Sequence, residues 1–307
     1  MSSVDLAPGV YRWRELVEHG KRALTGLVDA PDSEARFLVE HVSGFDRTEL
    51  AVASGEHATA REVGRLVAML ERRAKGEPLQ YVLGRWSFRG IELLVDRRVL
   101  IPRPETEVVT EVALEEAVFL GARRDPGGDP WAAGATKFIT ADLGTGSGAI
   151  ALSLAHELID AQVWATDISV DALDVASANL VSIGLAATRV RLSEGSWFEA
   201  LPGELRGEVG LLVSNPPYVA AGEELPAEVS GHEPHGALVS GPSGLESLAT
   251  LIEQGREWLA SPGTLVCEIA PHQAELLTDL ARRCGYAEVQ VRPDLAGRPR
   301  VLIARRR

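Results

Sequence analysis

The sequence predicts an α/β protein: a mostly parallel, seven-stranded, Rossmann-like sheet with an antiparallel last strand, preceded by a small N-terminal helical domain. Three observations carry this. Apolar residues recur at helical spacing through residues 11–76, short apolar strands alternate with helical stretches from residue 137 onward, and the last two strands lie too close in sequence for a crossover helix.

The helical part reads from Trp13, Leu16 and Val17, then Phe37, Leu38, His41 and Val42, then Val63, Leu66, Val67 and Leu70. Thr59 with Glu62 three residues on forms a capping box for the last helix, and Gly76 stops it. Residues 1–78 are expected to form one helical domain. Between Gln80 and Leu100 the period shifts towards two, through Tyr81, Leu83, Phe88, Ile91, Leu93 and Val95, with Gly84 and Gly90 as breakers. This predicts a hairpin, within residues 79–101, linking two halves. The Gly-, Pro- and Ala-rich stretch Gly121 to Gly134 predicts an exposed loop. Residues 102–307 make the second domain. Strands are expected at Lys137 to Leu143, Gln162 to Asp167, Arg189 to Ser193, Leu211 to Ser214, Thr264 to Ile269, Glu288 to Arg292 and Arg300 to Ala304. Helices are expected at Ala149 to Leu158, Val170 to Ile183, Leu245 to Leu259 and Gln273 to Cys284.

Composition narrows the function classes. The 307 residues are 45% hydrophobic and 24% charged, ample for a buried core, and no run of 18 apolar residues marks a membrane span. The formal net charge of −13 argues against stable nucleic-acid binding, which rests on Lys and Arg neutralising phosphates. Residues 1–80 carry 11 Lys+Arg against 13 Asp+Glu, so the acidity belongs to the larger C-terminal part. The two cysteines, Cys267 and Cys284, suggest buried thiols rather than a disulfide or metal site. A cytoplasmic location is expected.

Asp142-Leu143-Gly144-Thr145-Gly146-Ser147-Gly148 falls where the first strand ends and a helix starts. Glycines there let the backbone turn tightly and approach a ligand, whose polar groups meet free amide N–H groups at a helix N-terminus. Asp167, at the end of the second strand, is placed to accept ribose hydroxyls. The pattern marks a nucleotide site without choosing the nucleotide, because Gly144, Gly146 and Ala149 also fit the dinucleotide fingerprint.

Asn215-Pro216-Pro217-Tyr218 makes that choice. It follows an apolar strand at the carboxyl edge of the sheet, where open α/β folds hold ligands. Two prolines remove two backbone donors, so carbonyl oxygens dominate, which suits a substrate bringing N–H groups. If the Asn215 side-chain oxygen and the Pro216 carbonyl each accept one N–H, they hold a planar nitrogen in line with a methyl donor and favour the charge developing on it. Tyr218 would stack on the planar group. Dehydrogenase chemistry has no use for such an acceptor pair, so S-adenosylmethionine is the expected cofactor and methyl transfer to nitrogen the expected reaction.

With these residues the chain resembles the protein-glutamine methyltransferases of the HemK/PrmC type, which act on the Gly-Gly-Gln loop of peptide-chain release factors. The resemblance spans nearly the whole chain. It includes Glu77 to Gly84, Ile101-Pro102-Arg103-Pro104-Glu105-Thr106-Glu107, Glu233-Pro234 with Ala237-Leu238, and Asp294 to Val301. It implies that Gly144, Thr145, Gly146, Ser147, Gly148 and Asp167 hold the cofactor together with Asn215, that Trp197 lies against its adenine, and that Asn215 to Tyr218 hold the glutamine amide with Arg103 nearby. Trp197 has a core aromatic as its alternative reading, and Arg103 with Glu105 a solvated pair; Glu107 is expected to support the fold. The helical domain is expected to recognise release factors, and a monomer is expected. Two segments depart from the family pattern, Glu268-Ile269-Ala270-Pro271-His272-Gln273 and Val239 to Gly244; His272 is read as a cap or surface residue. A nucleic-acid amino methyltransferase, acting on adenine N6 or guanine N2 through the same tetrad, is the alternative.

Overall fold

A computed structural model describes residues 4, 6, 9–125 and 138–307, which fall into two compact units, 1–85 with 225–232, and 86–224 with 233–307.

The N-terminal unit is helical. Its elements are α1 (Trp13–Leu24), α2 (Pro31–Ser43), α3 (Arg47–Val52), α4 (Ala60–Ala74) and α5 (Leu79–Leu83). Trp13, Leu16, Leu38, Val42, Leu66 and Leu70 meet in one core, as their spacing predicts, whereas Phe37 stays 38% exposed under the Arg36 guanidinium. Thr59 and Glu62 close the capping box, with the Thr59 N–H donating to Glu62 Oε2 at 2.7 Å. Arg73, 7% exposed, forms a paired fork to Glu34 at 2.6 and 3.2 Å and also reaches Glu228 of segment 225–232. One expectation fails here. Leu79–Leu83 is a helical turn, not hairpin, because Leu79 and Val82, three apart, bury together into the helical core and Gly84 at φ 72° ends the turn.

The hairpin itself follows, β1 (Arg85–Phe88) and β2 (Ile91–Leu94), turning at Arg89 (φ 47°) and Gly90 (φ 78°), and from Trp86 onward it belongs to the second unit. The hairpin is fastened within this unit. The Arg89 N–H donates to Glu107, its guanidinium reaches Glu111 and Glu157, and Asn179 exchanges hydrogen bonds with the Leu94 backbone while donating to Ser147 O. Helix α6 (Pro104–Phe119) follows, an element the periodicity does not announce. Val109, Val112, Ala113, Leu114 and Ala117 are buried, but Glu116 is buried with them while Val118 and Phe119 are exposed, so apolar and polar residues do not sort cleanly into two faces. The expected loop Gly121 to Gly134 lies outside the described residues from 126 onward.

Seven strands then build the sheet: β3 (Phe138–Leu143), β4 (Ala161–Asp167), β5 (Val190–Glu194), β6 (Val209–Ser214), β9 (Leu259–Glu268), β10 (Glu288–Pro293) and β11 (Pro299–Arg306). Short strands β7 (Val219–Ala220) and β8 (Val239–Gly241) pair separately. The order across the sheet is β10-β11-β9-β6-β3-β4-β5, parallel except for β11, which runs antiparallel to both neighbours. The remaining helices are α7 (Ala149–Glu157), α8 (Val170–Asn179), α9 (Ala227–Ser230), α10 (His235–Leu238), α11 (Glu246–Trp258) and α12 (Ala274–Arg283). Residues Val170–Arg189 have the length and hydropathy of a membrane span. They do not form one helix: α8 ends at Asn179, a 3-10 stretch follows, and Gly184 (φ 55°, ψ −128°) breaks it.

Candidate functional site

Parallel strands deliver their carboxyl ends to one edge of the sheet, and the chemistry-bearing residues gather there. β3 ends beside the glycine turn, β4 at Asp167, β6 at the tetrad and β9 at Glu268. A cavity of about 440 Å³ opens at this edge. Its walls include Gly144, Thr145, Gly146, Ser147, Asp167, Trp197, Asn215 and Pro217, closed on other sides by Pro102, Thr106 and Ala237.

The glycine turn departs from its expected use. Gly144 and Thr145 N–H both donate to Thr166 O at 2.8 Å, Gly146 N–H to Asp167 Oδ2 at 2.9 Å, and Gly148 N–H to Thr145 O at 2.9 Å. These four amides are consumed inside the protein, while Ser147, Ala149 and Ile150, at the start of α7, line the cavity. What its glycines provide is close approach. A Cβ on Gly144 would meet the Trp197 ring at 3.4 Å, and φ values of 78°, 55° and 86° at Gly144, Gly146 and Gly148 suit glycine alone. Gly148 starts α7 and does not line the cavity.

Two carboxyls lie beneath the turn. Asp142, fully buried, accepts Thr145 Oγ1 at 2.6 Å and Ala151 N–H at 3.1 Å; burial pushes its pKa up to about 7, the nearby Asp167 charge adding to the rise. Asp167 accepts Gly146 N–H through Oδ2 and Ser169 N–H at 2.9 Å through Oδ1, and its pKa is also raised by burial. Each Asp167 oxygen keeps a lone pair for a hydroxyl donor. Carboxyls with spent amides are a poor seat for a pyrophosphate and a good one for a ligand bringing hydroxyls and a positive charge.

The tetrad is held by side chains from distant parts of the chain. Asn215 Nδ2 donates to Thr106 Oγ1 at 3.1 Å, Thr106 Oγ1 donates to Glu268 Oε2 at 2.8 Å, and Tyr218 OH donates to Glu268 Oε1 at 3.2 Å. Glu268 is 1% exposed and burial raises its pKa. Gln273 Nε2 donates to both Tyr218 O and Gly244 O at 3.0 Å, and its own Oε1 accepts Ala270 N–H. Ser214 Oγ donates to Leu143 O at 2.6 Å, joining the tetrad's strand to the glycine turn's strand at their ends. Both departing segments therefore serve the tetrad. The first supplies Gln273, and in the second Gly244 (φ 77°) is obligatory because a Cβ would lie 2.7 Å from Tyr218 O.

Several sequence-marked residues sit elsewhere than expected. Pro216 and Tyr218 do not line the cavity; Tyr218 packs against the sheet core with its hydroxyl on Glu268. Arg103 and Glu105 are not paired with each other: Arg103 binds Glu233, which also accepts Ile101 N–H, and Glu105 binds Arg298 at 3.0 Å. Trp197 (φ 46°) is both cavity wall and core edge. His272 is exposed, and Glu107 supports the hairpin turn. Sequence reasoning did not single out Thr106, Glu268 or Asp142. A visible signal existed for Glu268, a carboxylate ending the apolar run Leu265-Val266-Cys267 at the ligand edge.

A family described as the PrmC N-terminal domain matches residues 15–84, and one described as the methyltransferase small domain matches residues 111–229. A release factor glutamine methyltransferase of Moorella thermoacetica is 41% identical over 295 residues, covering 95% of this chain and 97% of the relative. Its namesake from Deinococcus radiodurans is 37% identical, covering 95% and 98%. Among solved structures, the hMettl16 catalytic domain in complex with the MAT2A 3'UTR hairpin 1 superposes with a TM-score of 0.53 at 15% identity, covering 82% of this chain and 83% of that one, a likeness of fold alone.

Proposed function

Because this chain belongs to the release factor glutamine methyltransferases, we propose that it transfers a methyl group from S-adenosylmethionine to the side-chain amide nitrogen of the glutamine in a release factor's Gly-Gly-Gln loop. S-adenosylmethionine, when bound, supplies a methyl group on a cationic sulfur. The residues at the sheet edge fit it: a cavity of about 440 Å³, a glycine turn without side-chain bulk, and Asp167 with lone pairs to spare for ribose hydroxyls.

One observation carries the reading. Asn215 gives its Nδ2 to Thr106, which leaves Oδ1, on the other branch of the amide, as the acceptor it offers to the cavity it lines. An amide nitrogen is a weak nucleophile because its lone pair is shared with the carbonyl. Asn215 Oδ1 accepts one of its N–H groups and favours the positive charge that grows as the nitrogen–methyl bond forms and the methyl–sulfur bond breaks, and one proton of that nitrogen then leaves to water. No strong base is required beforehand. Pro217 fixes the turn, Tyr218 anchors it through Glu268, and Trp197 closes the adenine side.

The helical N-terminal unit is the recognition module for the folded release factor, Arg103 orders the cavity rim through Glu233, and the chain works as a monomer in the cytoplasm, where release factors act. Incubation with labelled S-adenosylmethionine and a purified release factor tests the proposal: label is expected on the wild-type factor and none on its glutamine-to-alanine variant. Equal label on both would sink the reading, and methylation of bare DNA or ribosomal RNA would replace it.

A further inference from the structure

We infer that Thr106 and Glu268 are positioning residues that set which end of the Asn215 amide faces the substrate. The inference rests on the glutamine-methyltransferase reading and deepens it. A carboxamide rotated by half a turn exchanges an acceptor for a donor at almost no steric cost, so nothing in the shape of Asn215 alone keeps its oxygen towards the substrate. A donor there would meet the substrate's N–H groups head-on and oppose the charge developing on nitrogen.

The chain of hydrogen bonds removes that freedom by direction. Glu268 sits at the end of β9 with 1% exposure, and both its oxygens accept, one from Thr106 Oγ1 at 2.8 Å and one from Tyr218 OH at 3.2 Å. The Thr106 hydroxyl has one proton, and it is committed to Glu268. Only lone pairs remain on Thr106 towards Asn215, so the group it receives must be a donor, which is Asn215 Nδ2 at 3.1 Å. Thr106 is itself 3% exposed, and its place on the first turn of α6 is fixed by Thr110 Oγ1, which donates to Thr106 O at 2.8 Å. Water therefore has little access to supply a competing donor, and the order of donors and acceptors runs one way from Asn215 to Glu268.

The test uses Thr106→Val, which keeps the volume and removes the acceptor, and Thr106→Ser, which keeps the hydroxyl. Methyl transfer to a purified release factor is measured alongside the dissociation constant of S-adenosylmethionine by calorimetry. Thr106→Val is expected to lower kcat about 30- to 100-fold, as a misaimed reacting group does, with cofactor affinity unchanged within about threefold. Thr106→Ser is expected to recover most of the rate. The double variant Thr106→Val with Asn215→Ala is expected to be no slower than Asn215→Ala alone, because both break one unit. A Thr106→Val enzyme with kcat within twofold of wild type overturns the inference. So does parallel loss of cofactor binding and turnover, or a double variant slowed by the product of the single effects. Wild-type enzyme failing on every release factor overturns the proposed function instead, a separate result.

Discussion

The glycine turn after β3 and the tetrad after β6 leave neighbouring parallel strands at the same edge, yet they are held by opposite means. The glycine turn is tied by its own backbone to residues about two dozen positions away, Thr166 and Asp167. The tetrad is tied by side chains to Thr106, Glu268 and Gln273, which lie 109, 50 and 55 residues from their partners in it. Binding a cofactor needs a close, featureless surface, which a self-contained turn supplies. Aiming one amide oxygen needs directional partners, and the chain recruits them from wherever the fold brings them.

Breaking each region separately should expose that division. The largest effect is expected from Asn215→Ala, a fall in kcat on the order of 100-fold or more with cofactor affinity retained, measured by turnover and calorimetry. Asp167→Ala should do the converse, weakening S-adenosylmethionine binding by about 10- to 100-fold, since it removes hydrogen bonds to a charged group. If Asp167→Ala left affinity intact, the two regions would not divide their labour as described.

A pH trend sharpens the glycine-turn side. Asp142 is raised by burial from an unfolded value near 3.9 to about 7 in the folded chain. A proton is thus bound in the native state and not in the unfolded one between about pH 4 and 7, so the associated stability is full below pH 4 and is lost as pH rises towards 7. The difference in unfolding free energy between wild type and Asp142→Asn should shrink by on the order of 2–4 kcal/mol across that window and then level off. A flat difference, followed by thermal or urea unfolding at several pH values, would remove Asp142 as its source.

The smallest effect concerns the tetrad's packing. Gly244→Ala should destabilise by about 1–3 kcal/mol, because its φ of 77° disfavours a side chain and the added carbon meets Tyr218 O. Turnover should fall with it, whereas an equal loss of stability with unchanged kcat would show that the tetrad tolerates a shifted backbone.

Much of this was legible in the sequence, and what was not has a common cause. Periodicity of two and 3.6 reports how a strand or helix divides between core and solvent, so α1, α2, α4 and the seven sheet strands could be read directly. Helix α6 could not, since its buried Glu116 and exposed Val118 and Phe119 blur the division between core and solvent, and Leu79–Leu83 is too short for its period to distinguish helix from strand. At the site, the glycine turn, Asp167 and Asn215-Pro216-Pro217-Tyr218 are marked by the sequence through local backbone chemistry and position at strand ends, and the structure brings Gly144, Asp167 and Asn215 to one cavity. Only the tertiary structure shows that four of the turn's amides are already spent, that Arg103 pairs with Glu233, and that Asn215 meets Thr106 and Thr106 meets Glu268. Hydrogen-bond direction between residues a hundred positions apart depends on which atoms the packed sheet brings within 3 Å, and no local pattern in the chain encodes that.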